Sequence, residues 1–186
     1  NNYRHHVTEH RIDAAPPFTP RAHRTLLRHS LAIPDGVAIS HDGSRIAISN
    51  HETQEVLMFD RAAPLGPDAR PVAHLRGFAY PHGLRFTRDD GLLLVADAGA
   101  PAVCVFARGE GWTGHHMPER TVRVMDEATF RAGRYNPQEG GPKGMDIDPD
   151  EQVMVVTSEF QPLTFLSLPR LLKAWPEGRP AVAGAQ

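Results

Sequence analysis

Three residues of different chemistry recur at one position of this sequence. Asp35, His82 and Lys143 each stand immediately before a glycine: Gly36, Gly83 and Gly144. A carboxylate, an imidazole and an ammonium converging on one place could bind an anionic or polyhydroxylated ligand, or support general acid–base chemistry. Of these three residue types only an imidazole ordinarily exchanges protons near neutral pH, so His82 is the candidate catalytic group, with Asp35 and Lys143 orienting it or holding a substrate. At the far end of the same segments lies a second polar set: Asn50, His51, Asp97 and Glu159. A plainer reading stands beside this one. Asp35 could form an Asx turn, and Asn50 and Asp97 could cap loops.

Whether these residues meet depends on the elements that carry them. Three segments align without a gap: 36–50, 83–97 and 144–158. Each begins with Gly, places Asp at the same offset (Asp42, Asp89, Asp150) and continues into an apolar run. Val37/Ile39, Leu84/Phe86 and Met145/Ile147 alternate with the period of a strand. Asp42-Gly43, Asp90-Gly91 and Pro149-Asp150 are turn formers, so each copy reads as a β-hairpin. The return strands, Ile46–Ser49, Leu92–Ala96 and Val153–Thr157, are apolar on both faces, as befits a strand covered by sheets on both sides. Third strands follow at Glu55–Asp60, Ala102–Ala107 and Leu163–Leu168, with outer strands at Arg70–Arg76 and Arg120–Met125.

From Gly36 to Gly83 is 47 residues and from Gly83 to Gly144 is 61. Short antiparallel strands at such a period predict an all-β fold, a partial β-propeller of about three and a half four-stranded blades. The predicted division is a partial blade over 1–30, with His23–Ser30 as its outer strand, and blades over 31–76, 77–125 and 142–168. The longer second interval predicts a surface-loop insertion over 126–141, and 169–186 forms a tail with one short helix near Leu171–Trp175. The innermost strands line the channel, so Asp35, His82 and Lys143 are expected at one mouth, with Asp42, Asp89 and Asp150 at the other.

Pro34-Asp-Gly-Val-Ala-Ile-Ser-His-Asp-Gly43, Ser49-Asn50-His51 and Val95-Ala96-Asp97 resemble the repeats of bacterial NHL and lactonase-like propellers, over most of residues 31–168. That resemblance implies the fold more than an activity, since such propellers include lactone hydrolases, lyases and binding platforms. Gluconolactonase-type members hold a divalent metal on acidic and Asn side chains. Asn50, Asp97 and Glu159 offer donors of that type without a residue-by-residue match, and Ca, Mn or Zn is the cofactor implied. A closed propeller needs about 4–8 blades. The remaining blades are expected from a longer chain or from another chain, and until they are supplied part of Ile46–Ile48 or Val153–Val156 should be uncovered.

Other classes recede. A formal charge of -2 gives no nucleic-acid footprint, and no apolar run approaches a transmembrane helix. A soluble chain of the bacterial cytoplasm or periplasm is expected; the Arg-rich, Lys-poor composition suggests a GC-rich bacterial genome. Cys104, the one cysteine, sits in an apolar run and reads as a core residue. The 11 His residues show no compact zinc spacing, and His5-His6, His10 and, in a Gly-rich loop, His115-His116 read as solvated. Asp146–Asp150 lacks the Gly and Glu of a calcium loop. The leading reading is a small-ligand-binding or scaffold module. The alternatives are a metal-dependent hydrolase or lyase, and a protein-interaction platform using the 126–141 loop and the open face.

Overall fold

A computed structural model of the chain describes residues 2–136 and 138–173. The fold is all-β, with four sheets arranged as a partial propeller. The first sheet pairs β1 (Val7–Ile12) with β2 (Pro20–Leu27). The second holds β3 (Pro34–Ile39), β4 (Arg45–Asn50), β5 (Glu55–Asp60) and β6 (Ala73–Leu75). The third holds β7 (Pro81–Phe86), β8 (Leu92–Asp97) and β9 (Ala102–Ala107). Its outermost strand, β11 (Arg120–Arg123), follows β10 (Gly114–His116), which leaves the third sheet and joins β6 in parallel. The fourth sheet is β12 (Met145–Ile147), β13 (Val153–Val156) and β14 (Thr164–Ser167). Thus the three hairpins form where the repeats predict them, while the sheets hold two, five, four and three strands.

The alternation within each inner strand decides how sheets stack. Leu84 and Phe86 of β7 face the second sheet and pack with Ala38, Ala47, Met58 and Phe106. The opposite face of the third sheet, with Leu92, Leu94, Val103 and Val105, packs on Met145, Met154 and Val156 of the fourth. Leu26 and Leu27 of β2 cover Ile46 and Ile48, which are buried, so of the two runs expected to be partly uncovered it is Val153–Val156 that is open, at Val153. Exposure at that end falls on Val37 (46%) and Ile39 (52%), because the two-stranded first sheet places no inner strand opposite β3. At the other end Val153 and Phe165 (67%) are exposed on the outer face of the fourth sheet.

Two devices lock neighbouring inner strands. A methyl group on Gly36 would overlap the His82 carbonyl oxygen, and one on Gly83 would lie 2.6 Å from that of Lys143. The repeat glycine therefore allows the next blade's backbone to approach. At the opposite end Asp90 and Glu151 adopt φ values of 53° and 55°, a left-handed conformation that favours glycine. Their carboxylates reach back to the preceding turn: Asp90 accepts from the His41 and Asp42 amides (2.7 and 2.9 Å), and Glu151 from the Arg88 amide (2.6 Å). In the first two copies the repeated aspartate acts within its own turn, whereas in the third Asp148 accepts from the Val153 amide instead. Asp42 accepts from Ser40 Oγ and the Ser44 amide, bonds that hold its carboxyl down at about 2.

Three expectations are corrected. The 126–141 insertion contains a helix, α1 (Glu127–Ala132), capped by Asp126 and anchored by buried Phe130. The C-terminal helix α2 (Leu168–Lys173) starts earlier than predicted because Leu168 is buried against the fourth sheet; Ala174 and Trp175 lie outside the described residues. His115 and His116 lie in a strand, held there by pairing with His74 and Leu75. No helix among the described residues is long and apolar enough to cross a membrane.

Asp90→Ala should destabilise the chain by about 1–3 kcal/mol, because two amide donors lose their acceptor. Asp90→Gly, which relieves the backbone, should recover only part of this; full recovery in urea unfolding would show that the carboxylate clamp is idle. Light scattering of the 186-residue chain should report self-association through its two uncovered sheet faces; a cooperative monomer would contradict this.

Candidate functional site

The three residues that precede the repeat glycines come together: Asp35 meets His82, and a residue of the insertion, Glu139, joins His82 to Lys143. Its side chain is buried, with the residue 8% exposed. One oxygen, Oε1, faces Nε2 of His51 at 2.7 Å and Nε2 of His82 at 3.1 Å. The other, Oε2, faces Lys143 Nζ at 2.9 Å and accepts from Asn136 Nδ2 at 3.2 Å. Asp35 Oδ2 lies 3.5 Å from His82 Nε2. An ionised carboxylate can only accept, so its contacts place a proton on Nε2 of each imidazole. Nδ1 of His51 is buried and bonds nothing among the described residues.

Local structure explains the convergence. Asp35, His82 and Lys143 occupy one place in successive blades, fixed by the close glycine approach. Glu139 is delivered by a tight docking of the insertion on the β8–β9 turn: the amides of Gly140 and Gly141 both donate to the Ala98 carbonyl at 2.9 Å. A side chain on Gly141 would overlap the Ala100 carbonyl oxygen. His51 follows β4 directly, and its amide donates to the Ile33 carbonyl. Its ring stacks on Tyr80 at 4.6 Å and meets His82 edge-on at 5.3 Å.

Electrostatics bind the cluster. Burial opposes ionisation of Glu139, yet hydrogen bonds from Lys143 and His82 outweigh it and hold the carboxyl at about 2. Burial likewise disfavours the Lys143 ammonium, but its bonds to Glu159 and Glu139 prevail and raise its pKa.

The second polar set divides. His51 belongs to the cluster. Asn50 does not: its Oδ1 accepts from the Ala32 amide, and Nδ2 donates to the Ser30 carbonyl and Thr53 Oγ1. Asp97 accepts from the amides of Ala79, Tyr80 and Gly99, which positions Tyr80 under His51. With their oxygens turned to backbone, Asn50 and Asp97 do not fit the acid-and-amide metal set that the family resemblance implies. Glu159 lies on the far side of Lys143, its Oε1 2.5 Å from Nζ. The donors that do fit a cation are His51, His82 and Glu139, whose ligand atoms lie within 4.8 Å of one another. Sequence reasoning missed Glu139 because the insertion has no counterpart in the other repeats. The adjacent Gly140-Gly141, a sign of close backbone approach, was the available signal.

No family model matches the chain, and no curated protein matches it in sequence. Among solved structures it resembles hydrazine synthase of Kuenenia stuttgartiensis, at 17% identity and a TM-score of 0.60, over 91% of this chain and 42% of that one. It also resembles a functionally unknown protein of Desulfotomaculum acetoxidans, at 13% identity and a TM-score of 0.62, over 90% of this chain and 49% of that one. The chain spans less than half the length of either. At these identities the likeness is one of fold.

Glu139→Gln should cost about 1–3 kcal/mol at pH 7, because charge-assisted bonds are lost from a buried acceptor. The folded carboxyl titrates near 2 against an ordinary 4.5, so its stabilisation is complete above about pH 5 and fades as pH falls toward 2. The difference between wild type and variant in chemical denaturation should shrink over that window. A difference independent of pH would contradict the assignment.

Proposed function

We propose that the channel mouth is a small-ligand-binding site centred on a divalent metal ion held by His51, His82 and Glu139. One observation carries this reading: two imidazole nitrogens converge on one carboxylate oxygen, at 2.7 and 3.1 Å. Nitrogen and oxygen ligands about 2.1 Å from a cation and at right angles to each other stand about 3 Å apart, so each imidazole–carboxylate spacing matches that of two donors on one cation. A cation would take the place of the two Nε2 protons that now face Glu139, each neutral ring then carrying its proton on Nδ1. Two imidazoles and one carboxylate suit Zn²⁺ or Mn²⁺ better than Ca²⁺, which takes oxygen ligands. Three protein ligands leave coordination positions open for a small molecule at the mouth. The lactonase-like resemblance supports a ligand site on this fold, although the donors differ from the acid-and-amide set.

Asp35 favours a second reading, a metal-dependent hydrolase. A bound cation supplies a Lewis acid, and a carboxylate 3.5 Å from the ligating atom of His82 stands where it could take a proton from an attacking water.

Equilibrium dialysis against Zn²⁺ or Mn²⁺ tests the metal site. The wild-type chain should retain one ion more than Glu139→Gln or His82→Ala does, and saturating ion should raise the wild-type Tm alone. Equal retention by all three proteins would refute it.

A further inference from the structure

We infer that Lys143 is the anion subsite of this mouth, that it takes the carboxylate of a small organic acid, and that Glu159 occupies it as an internal stand-in. The inference rests on the small-ligand reading above and extends it to a substrate class.

Lys143 Nζ is gripped from two sides by carboxylates that differ in kind. Glu139 is buried and tied to both histidines and to Asn136. The Glu159 side chain is 40% exposed, and Lys143 is the one partner of its carboxylate among the described residues. Glu139 is thus part of the frame, whereas Glu159 can leave. A carboxylate already sits on the ammonium at 2.5 Å, so the position beside Nζ suits that group's shape and charge. A ligand carboxylate replacing Glu159 would have one oxygen on Nζ and the body of the molecule toward the histidine pair. Glu139 itself shows the geometry of such a bridge, with one oxygen toward the imidazoles and the other on Lys143.

Charge dictates the order of events. Asp35, Glu139 and Glu159 against Lys143 leave two net negative charges in the cluster when the histidines are neutral. An incoming anion is repelled from this arrangement. A divalent cation on His51, His82 and Glu139 cancels those charges, and departure of Glu159 then leaves the subsite positive. Carboxylate binding is therefore conditional on the metal, and the exposed Glu159 carboxylate is an intramolecular competitor.

The test uses the chain loaded with Co²⁺, whose visible absorbance reports both metal binding and anion arrival, titrated with acetate and, separately, inorganic phosphate. Acetate should perturb the cobalt spectrum of the wild type and should not bind the metal-free chain. An exposed ion pair is worth about 0.2–1 kcal/mol, so Glu159→Gln should tighten acetate by a factor of about 1.4 to 5. Lys143→Met removes a charge-assisted bond and should weaken acetate by about tenfold or more while cobalt is retained. If cobalt itself fails to bind the histidine–glutamate site, the metal reading falls. If cobalt binds but acetate affinity is unchanged in Lys143→Met, or does not rise in Glu159→Gln, the anion subsite is refuted. Phosphate binding more tightly than acetate would overturn the assignment to carboxylic acids.

Discussion

A strand that is apolar on both faces can be buried only between two other sheets, and this requirement organises the molecule. β4 and β8 are buried along nearly their whole length, and each is covered by a neighbouring sheet on either side. Stacking at that closeness brings inner strands into near contact, which is why the position facing His82 and Lys143 backbone holds glycine. The same stacking sets successive blades at one height, so the residue ahead of each glycine reaches a common mouth. Where a neighbouring sheet is missing, the rule shows by its failure: Val37, Ile39 and Phe165 lie open.

A second constraint acts within the first. A carboxylate as buried as that of Glu139 must be met by donors or it costs several kcal/mol. The insertion carries this carboxylate over the β8–β9 turn into the space between blades, and His51, His82 and Lys143 supply the donors. Support extends one layer further: Asp97 fixes the Tyr80 backbone, and Tyr80 stacks beneath His51. Residues from three blades and an insertion are thus held as one unit, a level of preorganisation that a ligand site requires.

The repeat was legible because its parts have physical causes that appear as residue types. Turns need Asp and Gly, doubly covered strands need unbroken apolar runs, and close approach needs glycine. Asp35, His82 and Lys143 could be grouped from that alignment alone. What one sequence hides is side-chain direction and one-off elements. Asn50 and Asp97 end their strands and His51 follows one directly, yet the oxygens of Asn50 and Asp97 turn to backbone amides, which composition cannot reveal. Glu139 and α1 lie in a segment present once, so no repeat pointed to them. β10 is three residues of Gly-His-His without apolar alternation, and only its parallel pairing with β6 makes it a strand.

If the proposal holds, His51, His82 and Glu139 form a cation site and not only a hydrogen-bonded clasp. Anomalous diffraction from a crystal soaked in Zn²⁺ or Mn²⁺ addresses it most directly. One strong peak is expected about 2.1 Å from both Nε2 atoms and a Glu139 oxygen, within the range of such ligands. A peak at surface histidines alone, with the Glu139–His51 and Glu139–His82 contacts intact, would contradict it.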